Sequence, residues 1–378
     1  MYLSLSWRLI AARHFPCEGE ELKRIGILKT VAFEERKFDG FLIANETNLL
    51  YFAGFPGTSC LLIPKKGEST IYVYGVNYEQ ARAEGEGLVV ELVKRDEDLM
   101  AKIAEQVKSF GIGKLAFDVL NLENYRKITK ALGRKTKLRA QNKLVWRLRK
   151  VKDEQELGLM REAAKMTSRG METACEVIKP GVREYEVAAE MEYSMRRSGS
   201  WGTAFDSIVA SGIRSAFPHG GCTDRKIRKG DLVVVDIGAT DHYYRSDMTR
   251  TVTAGKPSAK QMKIYEHVRL AQEKAFQAVK LGARARDVDS ASRKVIEEAG
   301  YSEYFVHGLG HGVGLEVHEA PTLNPESKDR LMFRNVVTIE PGIYIPGFGG
   351  IRIEDTVIVG KRKPEKLTKG SYTLETEP

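Results

Sequence analysis

Apolar positions along the chain follow two periods. Between residues 20 and 142, short β-prone runs (FDGFLIA, LLIP, IYVYG and KLAFD) alternate with segments such as ELKRIGILKTVAFEERK, whose apolar residues recur at helical spacing. That alternation predicts an α/β domain with its own sheet. QNKLVWRLRKVKDEQEL then leads from a basic stretch into a long amphipathic helix, with Asp153 as its N-cap and Leu157, Met160 and Ala164 on the apolar face. A boundary near Lys143 to Lys152 follows, giving domains over 1–146 and 147–378, with 1–18 as an extension.

The second domain repeats itself. KPGVREYEVAAEMEYSMRRSG (179–199) matches KLGARARDVDSASRKVIEEAG (280–300), and each copy is expected to be helical between its glycines. Further on, KGDLVVVDIG aligns with FRNVVTIEPG, so Asp236 falls on Glu340, and Asp247-Met-Thr249 falls on Glu354-Asp-Thr356. Two related halves, each of two helices followed by paired strands, would bring Asp236, Asp247, Glu340 and Glu354 together about a pseudo-two-fold axis. Four converging carboxylates repel one another and take up protons unless cations separate them. Divalent metal ions resolve the conflict.

Carboxylates are hard ligands suited to manganese-like ions, and one imidazole shifts the preference toward cobalt, iron or zinc. HGLGHGVGLEVHEAP (307–321) supplies the imidazole. Its alternating glycines argue against a helix, so His307 and His311 should diverge, with His311 favoured as the ligand because flanking glycines let the backbone approach an ion.

Composition adds bounds. At 378 residues and 42% apolar content the chain is long enough for two cores. No apolar run approaches a membrane span, Arg8 interrupts the opening segment, and the expectation is a cytoplasmic protein without a signal peptide. Cys17, Cys60, Cys175 and Cys222 show no metal or redox spacing. The net charge of +9 comes from Lys and Arg interleaved with acids, which reads as a solvated surface and not a nucleic-acid face. His14, His242 and His267 lack supporting context and are expected to be exposed.

In VDIGATDHYYRSDMTRT, HGLGHGVG, TIEPGIY and GIRIEDT the sequence resembles the pita-bread metallopeptidase family (M24), of the Xaa-Pro dipeptidase (prolidase) and Xaa-Pro aminopeptidase type. The resemblance implies a creatinase-like α/β N-terminal domain before an α+β pita-bread catalytic domain. It assigns Asp236, Asp247, His311, Glu340 and Glu354 as ligands of two divalent ions, manganese or cobalt foremost and zinc or iron as alternatives. It makes Glu340 the proton shuttle, His219 and His318 the groups that meet substrate, and Arg352 a partner of a ligand carboxylate within the substrate site. Phe205, Ile208 and Val317 become walls of a proline-sized pocket. A small peptide with proline second is the implied substrate, and a homodimer the implied assembly, with no nucleic-acid or membrane partner. Creatinase-type chemistry is disfavoured because the ligand set is complete, and so is a non-catalytic binding module. Some relatives place an Arg directly after the HExP motif to meet the substrate carboxylate; here that position is Thr322, which leaves an Xaa-Pro aminopeptidase acting on longer peptides as the alternative.

Overall fold

Short β-branched and aromatic runs in the first part of the chain pair into one mixed sheet. The computed structural model describes residues 20–375; the 1–18 extension, His14 and Cys17 lie outside them. The chain divides between Arg149 and Lys150 into two units. In the first, β1 (Gly40–Ile43), β2 (Cys60–Pro64), β3 (Thr70–Tyr74), β4 (Val89–Val93), β5 (Lys114–Phe117) and β6 (Lys137–Ala140) lie in the order β4-β3-β2-β1-β5-β6. Strands β1 and β2 are buried throughout, which is why they read as unbroken apolar runs. Among the described residues six α-helices accompany them: α1 (Glu20–Lys29), α2 (Glu46–Ala53), α3 (Gly75–Glu84), α4 (Leu99–Ser109), α5 (Leu122–Leu132) and α6 (Asn142–Arg149). Asn45, Asp98 and Asn121 cap α2, α4 and α5 by accepting a backbone N–H.

The second unit opens with α7 (Glu154–Val177), started by a capping box between Asp153 and Glu156. Helix α8 (Glu184–Arg197) runs between Gly181 and Gly199, and later α10 (Ala285–Glu298) runs between Gly282 and Gly300, after α9 (Ala259–Ala278). All four glycines have positive φ, so the repeated glycines mark matching helix entries and exits. In the first half, β8 (Ile208–Ser211), β9 (Leu232–Ile237) and β12 (Met248–Thr253) form the sheet β12-β9-β8, beside a smaller sheet of β7 (Gly202–Thr203), β10 (Ala239–Asp241) and β11 (Tyr244–Arg245). In the second half β13 (Gly310–Gly312), β14 (Glu319–Leu323), β15 (Val336–Ile339), β18 (Asp355–Ile358) and β19 (Glu365–Lys366) form the sheet β14-β13-β15-β18-β19, while β16 (Gly342–Ile345) and β17 (Gly349–Arg352) make a hairpin.

Each half buries its own core between helices and strands. Met171, Val187, Met191, Val233, Val235 and Ile237 belong to the first; Val268, Val288, Ile296, Val337, Ile339 and Val357 belong to the second. The halves are laced where β12 meets the strand leading into β18. Glu354 N–H donates to the Thr249 carbonyl at 3.0 Å, and Thr356 Oγ1 donates to the Asp247 carbonyl at 2.7 Å. Next to that seam Asp355, fully buried, accepts from Arg250, Gln272, Lys366, Thr368 and Tyr372. Among the described residues no helix is long and apolar enough to cross a membrane.

Candidate metal centre

Strand alternation decides where the acids point. Ile237 packs toward α7 and α8, its Cδ1 lying 3.1 Å from where a Cβ on Gly170 would stand, so Asp236 projects from the opposite face of β9. Across the ladder Asp236 faces Thr249 on one side and Ile208 on the other. In the second half the last β15–β18 pair is Ile339 with Asp355, which sets Glu340 and Glu354 side by side immediately beyond it. The two ladders therefore differ in register by two residues, with Thr249 standing toward Asp236 as Glu354 stands toward Glu340. An even shift keeps every side chain on its face.

His311, on β13, brings Nε2 to 3.2 Å from Glu340 Oε1 and 3.8 Å from Asp247 Oδ2. One ligand atom from each of Asp247, His311 and Glu354 lies within 4.8 Å of the others. Asp236 and Glu354 each leave one buried carboxylate oxygen, Oδ1 and Oε1 respectively, with no hydrogen-bond partner. Buried anionic oxygens of this kind are costly unless a cation meets them. Burial and then neighbouring acids, Glu354 for Asp247 and Glu340 for Glu354, push both carboxyls well above the ordinary range. Burial also opposes charge on His311 and Glu340, but their mutual contact outweighs it, lifting His311 above its usual value and pulling Glu340 down to about 2. Hard oxygens, one imidazole, two orphaned atoms and strained carboxyls together fit divalent cations.

Neighbouring polar groups hold this arrangement. Thr249 Oγ1 donates to Glu354 Oε2 at 2.7 Å and accepts from Arg352 Nε at 3.0 Å, while Thr338 Oγ1 accepts the His311 N–H at 3.0 Å. Arg352 donates to Asp236 Oδ2 at 2.7 Å, to Tyr344 Oη at 2.8 Å and to the Pro218 carbonyl at 3.2 Å. At 3% exposure Arg352 is placed to orient Asp236 and the 218–219 loop. His307 makes different contacts from His311, its Nε2 3.0 Å from Tyr344 Oη and its Nδ1 at the Gly308 carbonyl. Thr249, Thr338 and Tyr344 carried no signal of their own in the sequence, since single polar residues in β-prone runs are common.

The residues expected to meet substrate lie near the same acids and imidazole. His318 is exposed and meets the His311 ring edge-on at 4.4 Å; burial and then the His311 charge lower its pKa. His219 is exposed, following the Pro218 carbonyl that Arg352 holds. Phe205, half-buried, lays its ring over Gly238, where an added Cβ would lie 3.0 Å from Cε1 and only 2.0 Å from the Ser246 carbonyl oxygen. Ile208 lies opposite Asp236 in the sheet, and Val317, half-buried, precedes His318.

Each histidine loop is pinned by a buried helix acid. Glu184 on α8 accepts from the N–H and hydroxyl of both Ser211 and Thr223 and from Arg214. Asp289 on α10 accepts from the Leu309 N–H and from Arg293, which in turn donates to the Phe305 and His307 carbonyls. Two expectations need correction: His242 and His267 are half-buried and not exposed. His242, at φ 43° in the β10–β11 turn, folds against Trp201 at 4.4 Å and pairs with Asp241. His267 packs beside Tyr301 on the flank of α9.

The Metallopeptidase family M24 profile matches residues 158–361, spanning every residue of the centre, and the Creatinase/Prolidase N-terminal domain profile matches 30–151. The chain belongs to metallopeptidase family M24. As a member it is a hydrolase that uses divalent metal, built from a creatinase-type N-terminal domain and the pita-bread fold. This M24 peptidase is 40% identical over 349 residues to the Xaa-Pro dipeptidase of Pyrococcus furiosus, covering 92% of this chain and 98% of that protein. A solved Xaa-Pro dipeptidase from Bacillus anthracis, 39% identical, matches with a TM-score of 0.88 over 94% of this chain and 99% of the other. The X-Pro aminopeptidase from Thermotoga maritima, 36% identical, matches at 0.83 over 90% and 98%.

Proposed function

We propose that this M24 peptidase hydrolyses the imide bond of Xaa-Pro dipeptides, with two divalent ions, manganese or cobalt foremost, held by Asp236, Asp247, His311, Glu340 and Glu354. The observation that carries the reading is the set of buried, mutually repelling carboxylates around His311, two of them with an unpartnered oxygen. When bound, such ions supply a water nucleophile at neutral pH and polarise the scissile carbonyl. Glu340 takes the proton of the attacking water and passes it to the leaving nitrogen. His318, beside His311, and His219, on the loop fixed by Arg352, contact the carbonyl oxygen and steady the charge that grows there. Phe205, Ile208 and Val317 grip the ring, which suits a bond whose missing N–H and fixed φ defeat ordinary peptidases. Support for the substrate comes from the relatives that bear the name Xaa-Pro dipeptidase across nearly the whole chain.

A second reading, cleavage of longer peptides as an Xaa-Pro aminopeptidase, is favoured by Thr322 after the HEAP motif and by the Thermotoga maritima relative. The working assembly in this proposal is a homodimer. Its compartment is the cytoplasm, where the free thiols of Cys60, Cys175 and Cys222 stay reduced. Metal-reconstituted protein offered Met-Pro, Gly-Pro and an Xaa-Pro-Xaa tripeptide tests the reading. Turnover of both dipeptides, abolished in Asp236→Ala, is expected; turnover of the tripeptide alone overturns the dipeptidase assignment, and undiminished turnover by Asp236→Ala overturns the site.

A further inference from the structure

Resting on the dipeptidase reading, we propose that Arg245 receives the C-terminal carboxylate of the substrate. An Xaa-Pro dipeptide ends in a carboxylate one residue beyond the bond that is cut, so a site that prefers it over longer peptides requires a cation at that distance. The position after HEAP offers only the neutral, exposed Thr322. Three arginines beside the site are committed elsewhere. Arg352 serves Asp236, Tyr344, Thr249 and the Pro218 carbonyl, Arg214 serves Glu184 and the Gly220 carbonyl, and Arg293 serves Asp289 and the Phe305 and His307 carbonyls.

Arg245 differs from them in both direction and commitment. Tyr244 turns toward the helices, where its hydroxyl donates to Glu156 on α7 at 3.0 Å, so its neighbour Arg245, paired with Thr240 on β10, points from the opposite face of β11. Two anchors fix its place. Its backbone N–H donates to the Gly314 carbonyl at 2.8 Å, on the segment leading to Val317 and His318, and its Nη1 donates to the Ala204 carbonyl, directly before Phe205. The backbone of Arg245 is thereby tied to the segment before Val317, and its guanidinium is held at the residue before Phe205. Its Nε and Nη2 have no acceptor among the described residues, which leaves the edge that binds a carboxylate through two parallel hydrogen bonds.

The test compares Met-Pro with its C-terminal amide on metal-loaded wild type, Arg245→Met and Arg245→Lys, with bound metal measured by mass spectrometry and folding by thermal melting. Wild type is expected to favour the free acid. Arg245→Met should raise KM for Met-Pro about ten- to a hundred-fold, more than kcat falls, and collapse the gap between acid and amide, with Arg245→Lys intermediate. The assignment is overturned if Arg245→Met keeps the wild-type KM for Met-Pro, or if both variants lose acid and amide equally. Wild type that holds metal yet cleaves neither compound fails at the dipeptidase reading itself, a result distinct from an unchanged acid-to-amide ratio in an active enzyme.

Discussion

Replacing Thr249 with valine removes one hydroxyl and almost no volume. That hydroxyl, fully buried on β12, donates to Glu354 Oε2 at 2.7 Å and accepts from Arg352 Nε at 3.0 Å. A hydrogen bond to a charged group contributes about 1.5–3 kcal/mol, and about 1.4 kcal/mol is a factor of ten. Loss of the Glu354 bond frees a carboxylate whose other oxygen already lacks a partner, so divalent-metal affinity should fall about 10- to 100-fold. Valine keeps the β-branched shape that fits the strand, which confines the effect to hydrogen bonding. Calorimetric titration of manganese into chelator-stripped wild type, Thr249→Val and Thr249→Ser reads the difference, and serine should recover most of the loss. Wild-type affinity in Thr249→Val would refute the idea that this hydroxyl orients Glu354.

Three further outcomes follow from the same geometry. Burial works against the Glu184 carboxylate, but the Thr223 and Ser211 hydrogen bonds and the Arg214 charge outweigh it and hold its pKa below the ordinary value; the stability it contributes is therefore complete above the unfolded pKa of about 4.3 and disappears as pH falls through the lower folded value. Glu184→Gln should flatten that acid limb in melting curves taken from pH 6 downward; an unchanged limb would count against Glu184 as its source. Asp247 and Glu354, lifted by burial and by neighbouring acids, bind protons in competition with metal, so affinity should rise with pH and calorimetry in buffers of different ionisation enthalpy should detect proton release; equal heats in all buffers would contradict this. Gly310→Ala would set a Cβ 2.2 Å from the Thr338 carbonyl oxygen, a backbone atom that cannot turn aside, and should destabilise by about 2 kcal/mol or more while displacing His311; a melting temperature and metal affinity equal to wild type would contradict it.

Much of this site was legible before any coordinates. The acids at 236, 247, 340 and 354 break apolar strands in duplicate, and such a breach of patterning is informative because burial of unpaired charge is so costly. The glycines around His311 were expected to let the backbone approach an ion; Gly310 and Gly312 in fact lie tight against the Thr338 and Ala320 carbonyls. What the pattern concealed has a physical reason. Glu184 and Asp289 look like the acids of any solvated helix, and their burial depends on loops far along the chain that fold back onto them. The two-residue register difference was equally hidden, because aligned acids share a face under either register. His242, expected to be exposed for want of supporting context, is covered by Trp201, which lies well before it in the chain.

Asp355 lies beside the candidate centre without belonging to it. It adjoins Glu354, and Thr368 and Tyr372, from the last stretch of the chain, supply two of its hydrogen-bond donors. The tail from Leu367 onward thus helps hold the strand that carries Glu354, and trimming it would take two of five donors from a buried anion, leaving Arg250, Gln272 and Lys366. Clipping by a protease at that tail should release metal well before the rest of the fold gives way.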